Sequence, residues 1–256
     1  MIPNFKNKIH EKSLFSPQDF LSYSRKRDRL VQPEIPSCAI ICFQKSLLNY
    51  LIEKYETVQV PCIEENFRIL SREGCKIGLT GCFGIGAPSS AAVLEELIAL
   101  GVKKIVSIGT AGSLQEDLRP GGLVVCERAI RDEGTSYHYL KPARYARASA
   151  ALVRQLKNTL NQMKVRYQAG ASWTIDAPYR ETAAEVKKYR DEGILTVEME
   201  ASALFAVAEF RGVELAAMFT VSDCLTSENW VPKFHLKTAK KGLETLFEVA
   251  ANALTE

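Results

Sequence analysis

The stretch that most constrains this chain is Gly193-Ile-Leu-Thr-Val-Glu-Met-Glu200, with the helix and strand that follow it. Glu198, Glu200 and Asp223 stand there beside otherwise apolar segments. After Glu200, the residues Ala201, Leu204, Phe205 and Ala208 fall at i, i+3, i+4 and i+7, one stripe of a helix. Arg211-Gly212 reads as its stop, a cation in the last turn and a glycine just past it. Val213 to Val221 is mostly apolar and has the length of a buried strand, with Ser222-Asp223 emerging at its carboxyl end. In open α/β sheets ligands sit outside the carboxyl ends of strands. The pattern therefore predicts that Glu198 and Glu200, at a strand-to-helix junction, and Asp223, at a strand end, face one crevice. Acids are costly to bury at such a place unless they have a task there.

The rest of the chain alternates in the same way. Ser37-Cys-Ala-Ile-Ile-Cys42 is the first buried-strand candidate, followed by a helical segment from Lys45 to Tyr55. Lys76 to Thr80 and Lys103 to Gly109 are strands, as are Gly121 to Cys126 and Tyr167 to Trp173, with Arg131 to Tyr139 a loop. Apolar residues at 148, 152, 153, 156, 160 and 163 mark an amphipathic helix. A polar helical stretch follows Arg180, and Leu243, Leu246, Phe247, Ala250 and Leu254 close the chain as a last helix. Alternating strands and helices predict an α/β fold: one domain, a central mixed, mainly parallel sheet flanked by helices on both faces. The domain takes residues 37–256. Residues 1–36 are polar and mixed, with a helix start at Ser16-Pro-Gln-Asp-Phe20, and read as an extension lying on the surface or on a neighbouring subunit.

Gly81-Cys-Phe-Gly-Ile-Gly-Ala-Pro-Ser89 is a glycine-rich turn between a strand and a helix, with Pro88 near the first helical position. Its G-x-x-G-x-G spacing is not the G-x-G-x-x-G of a dinucleotide site, so a nicotinamide cofactor is rejected. Seven cysteines lie mostly inside apolar runs without C-x-x-C pairs or nearby histidines. They read as free thiols of a reducing compartment, and no metal site is expected. A formal net charge of +3 argues for neither nucleic acid nor a membrane surface as partner. The basic run Ser24-Arg-Lys-Arg-Asp-Arg29 reads as a solvated face or as an anion contact. The polar start of the chain and the lack of any span-length apolar run place it in the cytoplasm.

Taken in order, Gly84-Ile-Gly86, Ser107-Ile-Gly-Thr-Ala-Gly112, Val197-Glu-Met-Glu-Ala201 and Val221-Ser-Asp223 resemble the nucleoside phosphorylase/nucleosidase superfamily, over about residues 37–254. This is the group of uridine phosphorylase, hexameric purine nucleoside phosphorylase and methylthioadenosine nucleosidase. The resemblance implies cleavage of an N-glycosidic bond through an oxocarbenium-like ribose. Such a transition state needs the sugar's charge stabilised, the departing base neutralised and a nucleophile below the anomeric carbon. It implies that Glu200 holds the 2′ and 3′ hydroxyls and that Met199 packs under the ribose. Glu198 would join them or hold their turn. Asp223 would protonate or hydrogen-bond a purine. Thr110 would sit in the nucleophile pocket with Gly86, and Ala111 and Gly112 would line the base beside Trp173, Tyr179 and Arg180. No cofactor is implied beyond phosphate as co-substrate, and a homodimer or dimer-built hexamer is expected.

The sequence departs from that family where phosphate binds. The first arginine turn is replaced by Cys42-Phe-Gln-Lys-Ser-Leu47, and the arginine usual before I-G-T is Ser107. No arginine aligns with the third across 61–67, and the histidine that the family donates near its N-terminus has no clear match in His10. Loss of guanidinium forks is not conservative for phosphate. Lys45, Thr110 and backbone amides at the Gly86–Pro88 helix start are the proposed substitutes, with Arg68, Arg131 and the 25–29 run as further candidates. A hydrolase using water, a uridine phosphorylase and a non-catalytic nucleoside binder stay open beside the phosphorylase. Gln44 stands near the place where hydrolases of the group carry a glutamate base, and an amide is no base.

Overall fold

Short apolar runs rich in strong β-formers make up the strands of the central sheet. The computed structural model describes residues 3, 5, 8–28, 34–60, 67–225, 230–234 and 236–255. Its elements in order are α1 (Pro17–Asp28), β1 (Cys38–Cys42), α2 (Lys45–Lys54), β2 (Thr57–Gln59), β3 (Arg68–Arg72), β4 (Cys75–Gly81), α3 (Ala87–Ala99), β5 (Lys104–Ser113), β6 (Leu123–Asp132), β7 (Tyr145–Arg147), α4 (Ala150–Gln162), β8 (Gln168–Ile175), α5 (Ala183–Asp191), β9 (Thr196–Glu198), α6 (Ala201–Arg211), β10 (Glu214–Leu225), β11 (Trp230–Pro232) and α7 (Lys237–Thr255).

The strands make one mixed sheet in the order β11-β10-β6-β8-β9-β5-β1-β4-β3-β2, with β7 on β6. β4, β1, β5 and β10 run parallel, as do β6, β8 and β9. The two sets join through antiparallel pairs, β10 with β6 and β5 with β9. Because β10 also pairs with β5, the strands β10, β6, β8, β9 and β5 close into a ring. β5, β6 and β10 outrun the apolar runs that announced them, so Asp223 lies inside β10 rather than beyond its end. Arg131 and Asp132 likewise belong to β6 rather than to a loop.

Side chains alternate across the strands. Ile105, Ala111, Leu215, Ala217, Phe219 and Val221 join the core under α3 and α6, whereas Val106, Ile108, Ala216 and Met218 join the core under α2, α4 and α7. Helix α6 is buried at every position from Ala201 to Ala208, since it packs on α3 and on the sheet together. The single stripe read from sequence was too narrow a description. Its stop is as expected, Gly212 adopting φ +67°, and Arg211 forks onto Glu95 of α3 at 2.7 and 2.8 Å. Helix α1 opens at Ser16, whose Oγ accepts from the Asp19 N–H at 3.2 Å, and it lies against α3 with Leu21 buried. The basic run falls on the last turns of α1, with Arg29 outside the described residues. Among the described residues no helix is long and apolar enough to cross a membrane.

Helix α7 crosses β10 closely enough to require a glycine. A Cβ at Gly242 would lie 2.1 Å from Thr220 Oγ1 and 2.8 Å from its Cβ. Overpacking of this kind costs about 1–3 kcal/mol, against a helix-propensity gain of about 1 kcal/mol for alanine. Gly242→Ala is therefore expected to lower the midpoint of thermal unfolding by a few degrees, as read by calorimetry; an unchanged or raised midpoint contradicts this packing.

Candidate active site

The junction between β9 and α6 is built around a buried acid. Glu198 Oε2 accepts the backbone N–H groups of Glu200 (2.8 Å) and Ala201 (2.7 Å), and Oε1 accepts the hydroxyls of Thr174 (2.6 Å) and Ser172 (3.3 Å). Burial pushes its carboxyl above the usual range, and these hydrogen bonds pull it back. Oε2 is spent on the turn and Oε1 on the β8 hydroxyls, so the ribose contact implied for Glu198 by resemblance is corrected to that of a turn holder. It is no surface residue either. The two N–H groups it takes are orphans of the α6 N-terminus, which would otherwise lack partners.

Held by that turn, Met199 and Glu200 stand half-buried beside the glycine-rich turn. Glu200 Oε1 accepts the Gly86 N–H at 2.7 Å, and the Met199 Cε is 3.9 Å from where a Gly86 Cβ would be. Gly84 and Gly86 adopt φ +110° and +94°, a region closed to most side chains. Gly86 thus belongs with the Met199–Glu200 pair, its N–H directed to a carboxylate; its place in an anion pocket is corrected accordingly. Burial, and next the neighbouring Glu198 charge, raise the Glu200 carboxyl to about 7, opposed by hydrogen bonds from the Gly86 and Met199 backbone.

Asp223 occupies the other side of the β5 end. A bulge in β10 between Val221 and Asp223 sets Asp223 opposite Gly112. A Cβ on Gly112 would fall 2.4 Å from Leu225 Cδ1, 3.2 Å from Val197 Cγ1 and 3.3 Å from Asp223 Oδ2, so the glycine leaves room chiefly for Leu225 and keeps the backbone close to the acid. Ser222 Oγ donates to Asp223 Oδ1 (2.7 Å) and Trp230 Nε1 donates to Oδ2 (2.8 Å). Asp223 is buried yet lines a cavity of about 500 Å³ together with Tyr179, Glu181, Leu225, Trp230 and Phe234. Glu181 is half-buried, and its carboxyl makes no hydrogen bond or ion pair among the described residues. Burial, then the Asp223 and Glu185 charges, raise it to about 7.

The base-side residues divide. Tyr179 is on the cavity wall, whereas Arg180 is exposed and not among the lining residues; Glu181, one position on, takes that place. Trp173 is fully buried, donates its Nε1 to Asp132 Oδ2 (2.9 Å) and packs on Tyr189. It is core, and its assignment to the base is corrected. Ala111 is buried in the core under α6, and only Gly112 of the pair abuts Asp223. His138 binds Lys8 at 2.7 Å, and burial with the Lys8 charge keeps its pKa low. Glu181, Trp230 and Phe234 were missed from sequence. An acid three residues past Pro178 and two aromatics beyond Asp223 were the available signals, and neither fixes a direction.

On the nucleophile side, Thr110 is half-buried and accepts the Gln44 Nε2–H at 3.1 Å. Lys45 is exposed at the start of α2, close enough to Cys82 for its charge to ease the thiol that burial pushes up. Arg131 does not serve as a substitute phosphate cation. Arg131 is buried with its donors on Ser136, Lys141 and Leu140, and Arg68 reaches back to Thr57 and Gln59 on β2. Residues 61–66, where a third cation was sought, lie outside the described residues. Among the described residues no group of histidine, cysteine and acidic side chains is set to hold a metal. A larger open groove of about 840 Å³, past Arg128, Arg147 and Arg154, holds none of the site residues.

The sheet is closed on itself by β5–β10, with acids on the β9–α6 turn and in β10, and the chain belongs to the phosphorylase superfamily, whose sequence pattern residues 38–255 match. Among its relatives, the guanosine phosphorylase of Halorubrum lacusprofundi is 27% identical over 231 residues, covering 87% of this chain and 94% of the relative. A DeoD-type purine nucleoside phosphorylase of Bacillus cytotoxicus is 29% identical over 181 residues, 70% of this chain and 77% of the relative. The solved uridine phosphorylase of Vibrio fischeri aligns with a TM-score of 0.75 at 27% identity, over 88% of this chain and 95% of that one. The purine nucleoside phosphorylase of Toxoplasma gondii shares the fold, with a TM-score of 0.78 at 20% identity over 87% and 94%.

Proposed function

We propose that this chain is a nucleoside phosphorylase that cleaves a purine nucleoside with inorganic phosphate to the free base and ribose 1-phosphate. The observation that carries the reading is the pair of acids at the β5 end. Glu200 is held at Gly86 beside Met199, and Asp223 is held by Ser222 and Trp230 on the wall of an aromatic-lined cavity. In this reading Glu200, ionised, accepts the ribose 2′ and 3′ hydroxyls, and Met199 packs beneath the sugar with its adaptable thioether. The base lies among Tyr179, Trp230 and Phe234. Phosphate attacks C1′ as the C1′–N9 bond breaks, the electron pair leaves on the base, and Asp223 stabilises or protonates it at N7. Glu181 faces the same cavity as an acceptor for the N1–H that a 6-oxopurine presents and a 6-aminopurine lacks.

The relatives named for guanosine and purine nucleosides support a purine, and the described cysteines, all free thiols, support a reducing cytoplasm. A homodimer, or a hexamer built from dimers, is the assembly we propose.

A panel of guanosine, inosine, adenosine and uridine in phosphate buffer tests the base assignment. Guanosine and inosine are expected to be cleaved fastest, with uridine slowest. Uridine as the preferred substrate would overturn the purine reading, and no release from any nucleoside would overturn turnover itself.

A further inference from the structure

Gln44 lies two residues past the end of β1 and stands at the N-cap of α2, a position where a side chain can cap the helix. It makes no cap bond. Its amide turns instead to Thr110, Nε2 donating to Oγ1 at 3.1 Å. Oε1 of the same amide is buried and has no hydrogen-bond partner among the described residues. A buried acceptor in that state is destabilising unless something supplies it with a donor. The Gln44–Thr110 bond has a second effect. Since Oγ1 accepts from the amide, the Thr110 O–H keeps its own proton free to donate. One donor and one acceptor therefore stand side by side without formal charge. An aromatic pair lies next to them: the Phe43 ring is 3.3 Å from where a Gly109 Cβ would be, and Phe43 meets Phe83 edge-on at 5.6 Å. Ser107, where an arginine was sought, is buried in β5 two residues before Gly109.

We propose that Gln44 is the residue that selects the nucleophile, and that the Gln44–Thr110 pair takes it as a hydrogen-bearing oxyanion. Thr110 donates to an unprotonated oxygen, and the P–O–H of hydrogen phosphate donates to Gln44 Oε1. This rests on the phosphorolytic reading above and says how that site binds its anion with an amide and a hydroxyl instead of guanidinium forks. An unprotonated oxygen forms the bond to C1′ as the bond to the base breaks. The proton held at Gln44 stays on phosphorus oxygen and leaves with ribose 1-phosphate. An anion of the same shape without a proton, sulfate, leaves Oε1 unpaired and is excluded; hydrogen arsenate is accepted.

The test uses the full chain with guanosine at saturation and phosphate varied. In the unaltered protein, arsenate is expected to replace phosphate as nucleophile, and sulfate to compete at least about tenfold more weakly than phosphate binds, the usual penalty for an unpaired buried acceptor. Gln44→Met and Gln44→Glu should each raise the KM for phosphate about tenfold or more while the KM for guanosine stays within about twofold. Sulfate competing as well as phosphate binds, or a folded Gln44→Met variant with an unchanged KM for phosphate, overturns the assignment while phosphorolysis stands. Base release at the same rate without phosphate overturns both. The sulfate comparison needs no variant, so it decides the question even where substitution at Gln44 prevents folding.

Discussion

Replacing Glu200 by alanine is expected to lower kcat/KM by about 10²–10⁴, because two charge-assisted hydrogen bonds of about 1.5–3 kcal/mol each are removed from the sugar in its cationic transition state. Fold is expected to survive, since Glu198 and not Glu200 holds the β9–α6 turn. The pH dependence carries the same point. Burial and the Glu198 charge raise the Glu200 carboxyl to about 7, and only the ionised form accepts from both hydroxyls. The profile of kcat/KM, which reports the free enzyme, should therefore rise through pH about 7 and flatten above it. Stability runs the opposite way. A carboxyl raised in the folded state keeps its proton where the unfolded chain has lost it, so this group's contribution falls between about pH 4.5 and pH 7. Glu181, raised to about 7 as well, pulls stability in the same direction. Glu200→Gln retains an acceptor for Gly86 and should abolish the acidic limb at reduced rate. A variant with unaltered kcat/KM, or one that keeps the limb, removes Glu200 from the sugar.

Asp223→Ala is expected to cost about 10²–10⁴ in kcat on guanosine, the range for loss of a positioned acid, and less than about tenfold on a pyrimidine nucleoside. The asymmetry follows from what the acid meets. Asp223 lies in the wall of the aromatic cavity, pinned by Ser222 and Trp230, and in the proposed reading it meets the base rather than the ribose. Asp223→Asn keeps the size and one acceptor, so a loss as large as that of alanine assigns the effect to the acid itself. Equal losses on both nucleoside classes would remove the case for a purine.

Much of this was legible before any coordinates. The resemblance carried by Val197-Glu-Met-Glu-Ala201 singled out Glu200 as the sugar acid of the proposed reading, and the i, i+3, i+4 spacing after Glu200 located α6. Period alone cannot say how many neighbours a helix has, so the burial of α6 on all sides was not visible. Strand direction is equally silent in short apolar runs, which is why the antiparallel joins β10–β6 and β5–β9, and the ring they close, emerged only in three dimensions. Trp173 was set beside the base by resemblance alone; a one-residue shift in pleat points a side chain to the opposite face, and here it points to Tyr189 and the core. Glu181 follows a single 3₁₀ turn, Pro178–Arg180, whose direction sequence does not fix, and so it was passed over for Arg180. Gln44 was noticed for what it lacks as a base, while its bond to Thr110 spans 66 positions of sequence and no local pattern encodes it.

The most direct measurement is phosphorus NMR of guanosine incubated with the protein, with phosphate present and then left out. Ribose 1-phosphate should form in step with free guanine, and omission of phosphate should stop base release. Guanine appearing at an undiminished rate in phosphate-free buffer, with free ribose as the sugar product, would contradict the phosphorolytic assignment.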